Sequence, residues 1–389
     1  MRVLINAASA HMGGSLTYLQ NVLRWLPQMA PAAQFITYVP EATLEKLERL
    51  DGEGVQLRPY PYASTQGLRR IYFDQVEIPR IARREATDVL FSSTGFGTLL
   101  SPSPEVLLIR NPRYFNRTFE ETYRNLGRSL LRTRLRRWYS LLCARWADAV
   151  LFPTRAMQGM VEQHADLSAK RTEAIHYGFD HDAFSDQDGH EPRLEEIDDW
   201  RKRGYKILLN VSTYAVHKNL ETSIDALAHL KEDNYNVKLI TTTSRKHANR
   251  YREEYDDMKR RATDLGVVED WLELGYVNYD ALRALYKRGD VYVFPSFAES
   301  FGHSLVEAMA AGLPVVASNT QVNQEVCRRA GRYFPTFDAR ACATQIESVL
   351  SDSKEQECMH QQSLERAKDF SWKKYTKKLV SIFEEWASR

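Results

Sequence analysis

Cysteine is scarce in this chain of 389 residues. The four that occur, Cys143, Cys327, Cys342 and Cys358, are scattered, with no C-x-x-C pair and no metal-ligand spacing. That excludes a disulfide-stapled secreted scaffold and a zinc module, and it reads as reduced thiols in a cytosolic protein. Long apolar runs are missing too: nothing approaches the roughly 18 uninterrupted apolar residues that a membrane-spanning helix needs. The chain opens on Val3-Leu4-Ile5 without a signal-peptide pattern, so a cytoplasmic location is expected. Neither sign of charge is in excess. A net charge of +2 argues against a general nucleic-acid binder and confines any basic surface to a local patch. Internal repeats, low-complexity tracts and the G-x-G-x-x-G dinucleotide fingerprint are also absent. What is present is the composition of a soluble globular protein, 43% apolar and 27% charged, long enough for two domains with separate cores.

Residues 291–318, VYVFPSFAESFGHSLVEAMAAGLPVVAS, organise the rest. The apolar run Val291–Phe294 predicts a buried strand. A polar, Gly-containing turn follows, then a helix whose Leu305, Ala308 and Met309 form the face that packs on a sheet. Gly312 suits the left-handed position that closes a helix, Pro314 forbids continuation, and Val315-Val316-Ala317 starts the next strand. Such a unit sets a helix N-terminus, near residues 301–304, at the carboxyl edge of a parallel sheet, where free N–H groups and the helix dipole favour an anion. Glu299 and Glu307 flank it. A carboxylate repels phosphate but accepts hydrogen bonds from hydroxyls, so the pattern suits phosphate in the middle and polyol at each end, as in a nucleotide sugar.

The E-x7-E spacing within P-S-x3-E-S-F-G-x3-V-E-A-M-A-A-G-x-P-V-V-A-S resembles the donor-binding signature of the retaining GT-B glycosyltransferases of family 4. The resemblance implies that Glu299 meets sugar hydroxyls and Glu307 the ribose, with Ser300, Phe301, Gly302, His303 and Ser304 around the diphosphate. It also implies two Rossmann-like, doubly wound parallel-sheet domains facing across a cleft, with a C-terminal helix crossing back to the first domain. The expected bounds are 1–185 for the acceptor-side domain, 186–204 for a linker, 205–370 for the nucleotide-sugar domain and 371–389 for the returning helix. That last segment carries Trp372, Tyr375, Leu379, Ile382 and Trp386 on one face.

Further pieces of the pattern lie along the chain. Expected strands at 1–8, 35–39, 55–57, 89–92, 106–109 and 149–153, with helices between, argue for a doubly wound sheet. Gly13 and Gly14, after His11 and Met12, resemble the family's Gly-rich first loop beside the donor phosphates or the acceptor. Arg110-Asn111 stands where many relatives have a His-Asp pair, so the family's histidine-based role is not carried over to this position. The segment 175–184, IHYGFDHDAF, resembles the turn that ends the first domain, so Asp180-His181-Asp182 is not read as a metal motif. The segment 212–220, STYAVHKNL, is similar to the family's G-T-L-x-P-R-K-N-L, and Lys218 matches the lysine that binds the distal phosphate. His217 stands where the family has arginine. Residues 271–277, WLELGYV, resemble the loop near the base, with Gly275 and Tyr276 presenting backbone.

Residues 124–146 hold seven arginines and no acidic residue, with Leu131, Leu135, Trp138, Leu142 and Trp146 in one stripe at helical spacing. Two readings stand. Either the stripe packs on the sheet and the arginines face water, or the helix is a basic amphipathic surface near anionic lipid or the pyrophosphate of a lipid-linked acceptor. In the second reading Arg110, Asn111, Arg128, Arg132 and Arg136 lie on the acceptor side.

The expected activity is retaining transfer of a sugar from a nucleoside-diphosphate sugar to a hydroxyl of a glycan or lipid-linked acceptor. No cofactor or metal is expected, Lys218 and Glu299 are the residues nearest the chemistry, and an anionic membrane is an expected peripheral partner. A GT-B epimerase and a catalytically degenerate binding or scaffold protein are the alternatives.

Overall fold

The computed structural model describes the chain over residues 1–389 apart from 11–12, 53, 63–66, 182–183 and 185–190. The chain divides into two compact units, Met1–Gly178 with Ser371–Arg389, and Phe179–Phe370.

The first unit is built on strands β1 (Arg2–Asn6), β2 (Gln34–Val39), β3 (Val55–Pro59), β4 (Val89–Ser92), β5 (Glu105–Leu108), β6 (Ala149–Phe152) and β7 (Arg171–Ala174). They form one parallel sheet in the order β3-β2-β1-β4-β5-β6-β7. Val3 of β1 pairs with Phe35 on one side and Val89 on the other. The central strands are near-continuous apolar runs because helices cover both faces, and β1, β4, β5 and β6 are almost wholly buried. β7 reads Arg-Thr-Glu-Ala and carries no apolar signal; as an edge strand it needs none.

Helix α1 (Gly14–Met29) follows β1 and buries Tyr18, Leu19, Val22, Leu23 and Leu26. The C-terminal helix Trp372–Ala387, capped by the Ser371 hydroxyl, packs on α1. Hydroxyls of Tyr18 and Tyr375 meet at 2.8 Å, and the Phe383 ring lies 5.3 Å from Phe91. Gly178 is required here: a Cβ on it would stand 1.9 Å from the Trp372 nitrogen.

The basic segment departs from the expected single helix. Helix Arg117–Asn125 ends, Gly127 turns the backbone at φ +66°, and helix α2 spans Leu131–Trp146. Its stripe does not pack on the sheet. Leu131, Leu135, Trp138 and Trp146 are 66%, 57%, 63% and 56% exposed. The buried face is Ser140, Cys143 and Ala144, whose small size lets α2 sit close to the loop after β4. There the Ser140 hydroxyl donates to the Gly95 carbonyl at 2.7 Å, and Tyr139 stacks on Phe96 at 5.4 Å.

The second unit contains β8 (Lys206–Asn210), β9 (Val237–Thr241), β10 (Trp271–Glu273), β11 (Val291–Phe294), β12 (Val315–Ser318) and β13 (Gly331–Phe334). They form a parallel sheet in the order β10-β9-β8-β11-β12-β13. Helices α3 (Leu220–Glu232) and α4 (His303–Ala310) follow β8 and β11. Gly312 closes the turn after α4 at φ +76°.

The first unit ends at Gly178 rather than 185, because Phe179 meets Phe184 edge to face and Phe184 packs against Tyr286 in the second unit. Of the expected linker, 186–190 lies outside the described residues. Leu194–Lys202 is a helix that buries Leu194 and Ile197, and Asp198 pairs with Arg288 at 2.8 Å. His181 donates from Nε2 to the Ala367 and Phe370 carbonyls, while Asp182 lies outside the described residues.

Candidate functional site

In an open parallel sheet, the crevice lies at the strands' carboxyl ends where their order reverses. In the second unit that point falls between β8 and β11. The loops leaving these two strands carry most of the residues singled out in the sequence.

Local chemistry ties the two loops together. Asn219 sits in the left-handed region at φ +52°, which asparagine tolerates better than most residues, and its amide donates to the Pro295 carbonyl at 3.2 Å. The Phe297 amide and the Ser296 hydroxyl both donate to the His217 carbonyl, at 3.0 and 2.9 Å. This zipper presents Lys218 to Glu299: ammonium and carboxylate are 2.5 Å apart, both partly buried. The Ser296 oxygen also lies 2.7 Å from the same carboxylate oxygen, so its single proton is shared between Glu299 and the His217 carbonyl, and the Lys218 ammonium lies 5.7 Å from the Phe294 ring centroid.

Helix α4 begins beside this pair. Gly302 precedes it at φ +85° and offers no side-chain cap, while its carbonyl accepts from the Leu305 amide at 3.0 Å, so the helix starts without a side chain over its N-terminus. A Cβ at Gly302 would press to 2.9 Å from Leu305 Cδ1, a second reason for glycine. Phe301 is buried, its ring 5.5 Å from Phe370 and 5.3 Å from His303, which anchors the turn. Ser300, His303 and Ser304 are partly exposed around it. One turn further, Glu307 accepts from the Tyr286 hydroxyl at 2.8 Å. Burial lifts the Glu307 carboxyl above its ordinary range, and the Tyr286 hydrogen bond works against that rise. Tyr276 is exposed, and its carbonyl accepts from Arg193 at 3.1 Å.

The first sheet reverses between β1 and β4. Its crevice is floored by a buried network that motif reading did not anticipate. Arg70 pairs with Asp74 at 2.7 Å, Asn6 donates to Asp74 at 2.8 Å, and Arg70 reaches the hydroxyls of Ser9 and Thr94. The only trace in the sequence is an Arg–Asp pair four residues apart. Gly13 caps α1 at φ +59°, with no atom of the described residues beyond its chain neighbours within 4 Å of where a Cβ would be, and Gly14 is the helix's first residue. His11 and Met12 lie outside the described residues. Arg110 is held over the Tyr18 ring at 5.0 Å, and the Asn111 carboxamide accepts from the Arg113 amide at 3.2 Å. Arg132 is exposed and Arg128 and Arg136 partly exposed, in or beside α2. Among the described residues no three His, Cys, Asp or Glu side chains cluster as a metal ion would need.

Of the expected residues, the structure joins Lys218 to Glu299 directly and sets 300–304 and Glu307 on the adjoining turn and helix. Sequence reasoning missed Ser296, Asn219 and Tyr286. Tyr286 stands 21 residues before Glu307, a separation with no local period to betray it.

Two family models match, one to each half of the chain: "Glycosyltransferase Family 4" over residues 12–183 and "Glycosyl transferases group 1" over 193–366. The O-antigen chain mannosyltransferase B of Escherichia coli is 35% identical over 135 residues, 34% of this chain and 35% of that protein. The D-inositol 3-phosphate glycosyltransferase of Salinispora tropica is 27% identical over 254 residues, 61% of this chain and 51% of that protein. The matches thus span about a third to a half of these relatives' length. Among solved structures, Anabaena HepE in complex with UDP and glucose superposes with a TM-score of 0.73 at 16% identity, covering 99% of both chains. A fold of two Rossmann-like units, with a family match to each half, makes this chain a member of the group 1 glycosyltransferases of GT-B fold.

Proposed function

We propose that the chain transfers a sugar from a nucleoside-diphosphate sugar to a hydroxyl group, with retention of anomeric configuration. The observation that carries this reading is the Lys218–Glu299 pair at the β8–β11 reversal beside the uncapped start of α4. An ammonium and aligned backbone N–H groups suit a diphosphate, and carboxylates at either end suit hydroxyls. The relatives' names and the UDP in HepE point the same way.

In the step proposed, the bond from anomeric carbon to phosphate oxygen breaks as a bond from the acceptor oxygen forms on the same face. Lys218 and the α4 N-terminus stabilise charge on the departing diphosphate, and its oxygen takes the acceptor proton. Glu299 holds the sugar hydroxyls and Glu307 the ribose. The first unit, through the Gly13–Gly14 loop and Asn111, is the acceptor-binding half, and a lipid-linked or cell-envelope glycan is the acceptor class. No metal is needed in this scheme.

The test is a thermal-shift screen against uridine, guanosine and adenosine diphosphate sugars, followed by product analysis with the stabilising donor. A glycoside of the donor's anomeric configuration supports the reading. An isomerised nucleotide sugar would make the protein an epimerase. The engagement of Arg110 with Tyr18, where relatives carry His-Asp, favours a binding protein as the second reading; slow hydrolysis of donor alone would exclude it.

A further inference from the structure

Helix α2 is built inside out. Its small residues Ser140, Cys143 and Ala144 face the protein, and Leu131, Leu135, Trp138 and Trp146 face water. At about 100° per residue the stripe Leu131, Leu135, Trp138, Leu142, Trp146 lies about half a turn from the buried face. Large apolar side chains exposed in a row mark an interaction surface. Arginines flank the stripe: Arg132, Arg134 and Arg145 are exposed, and residues 124–146 contain no acidic side chain.

The topology fixes where this face lies on the first unit. A helix joining two parallel strands runs back against them, so its first turn sits at their carboxyl edge. Helix α2 joins β5 to β6, which sets Leu131 and Leu135 at that edge. The helical segment between β3 and β4 begins with Leu68–Tyr72, which obeys the same rule and exposes Leu68 and Tyr72. The two segments touch through Gln75, whose amide donates to the Tyr139 hydroxyl at 2.6 Å. The Gly13 and Asn111 loops leave β1 and β5 at the same edge.

We infer that this edge of the first unit docks on an anionic lipid bilayer, with the leucines and tryptophans of α2 entering the headgroup region and the arginines binding lipid phosphates. The charge pattern selects that occupant. A second copy docked face to face would set arginine against arginine, and Trp with Arg on one amphipathic helix suits the boundary between headgroups and acyl chains. That the acceptor is delivered from the bilayer to the first unit rests on the function proposed above; the docking itself does not.

Vesicle flotation of the full-length protein tests it. Vesicles of phosphatidylglycerol with phosphatidylcholine are expected to carry the protein at least about tenfold better than phosphatidylcholine alone. Replacing Leu131, Leu135 and Trp138 together by serine should abolish flotation while leaving the melting temperature within a few degrees, since these side chains are already exposed. The triple change Arg132→Gln, Arg134→Gln, Arg145→Gln should weaken it about a hundredfold. Equal flotation on both vesicle types, or wild-type flotation of the serine variant, would overturn the inference. So would sedimentation showing that the serine variant turns a dimer into a monomer without any change in vesicle binding. Because flotation needs no nucleotide, its failure is separable from failure of the donor site, which nucleotide calorimetry reports.

Discussion

The Lys218 ammonium lies 2.5 Å from the Glu299 carboxylate, so the cation assigned to a diphosphate already has an acidic partner before any ligand arrives. On the function proposed above, binding of a donor would exchange one anion for another at Lys218 and release Glu299 to the sugar. Glu299→Gln keeps the shape and the Ser296 contact but removes the competing charge. It should bind free nucleoside diphosphate at least as tightly as wild type, yet transfer sugar at least about a hundredfold more slowly. Calorimetry paired with a transfer assay separates these effects; a parallel loss of both would show that Glu299 serves the phosphate end.

The Tyr286 hydroxyl donates to Glu307 at 2.8 Å, which makes it a positioning residue if Glu307 holds the ribose as proposed. Tyr286→Phe should weaken nucleoside diphosphate binding about tenfold, the size of one hydrogen bond to a charged group. The 2′-deoxynucleotide should bind both proteins equally, because a carboxylate that holds the ribose hydroxyls has less to hold. An unchanged ratio between ribo- and deoxynucleotide in the variant would remove Tyr286 from this role.

Gly178 meets the start of the C-terminal helix too closely for any side chain. Gly178→Ala should cost about 1–3 kcal/mol of stability, as overpacking does, seen as a lower melting temperature of the first unit. A variant as stable as wild type would mean that the helix is not seated on Gly178.

Glu105 is buried beneath the loop after β4, accepting from the Ser92 hydroxyl at 2.6 Å and the Thr98 amide at 2.9 Å. Burial pushes its carboxyl up to about 8, the hydrogen bonds from Ser92 and Thr98 opposing the rise. The folded state therefore holds a proton that the unfolded chain has released. The stability it contributes is full below the ordinary carboxylate range and is lost as pH climbs through about 8. Against Glu105→Gln, wild type should lose about 1.4 kcal/mol for each pH unit across that window, and nothing more above it. Denaturant melts at several pH values check this; a constant difference would place the carboxyl at its ordinary pKa.

Much of the second unit was legible because its signals are local. Val291–Phe294 is the predicted strand, Gly312 takes the left-handed position, and Lys218 and Glu299, each singled out by its own motif, form an ion pair. What escaped depends on tertiary context. The edge strand β7 carries no apolar pattern, and Tyr286 reaches Glu307 only because β11 is flanked by the helices that bear them. The α2 stripe shows the limit most plainly. Its spacing at 131, 135, 138, 142 and 146 is that of a core-facing helix, and only the fit of Ser140, Cys143 and Ala144 against the loop after β4 turns it outward. Periodicity reveals that a face exists; the shape of its neighbour decides which face is buried.

The most direct test of the donor site is calorimetric titration of wild type and Lys218→Ala with uridine, guanosine and adenosine diphosphates. At least one should bind wild type, and the same one should bind Lys218→Ala at least about tenfold more weakly, the melting temperature being little changed. Affinities within twofold of each other would mean that the diphosphate lies elsewhere, and the account of the β8–β11 crevice would be wrong.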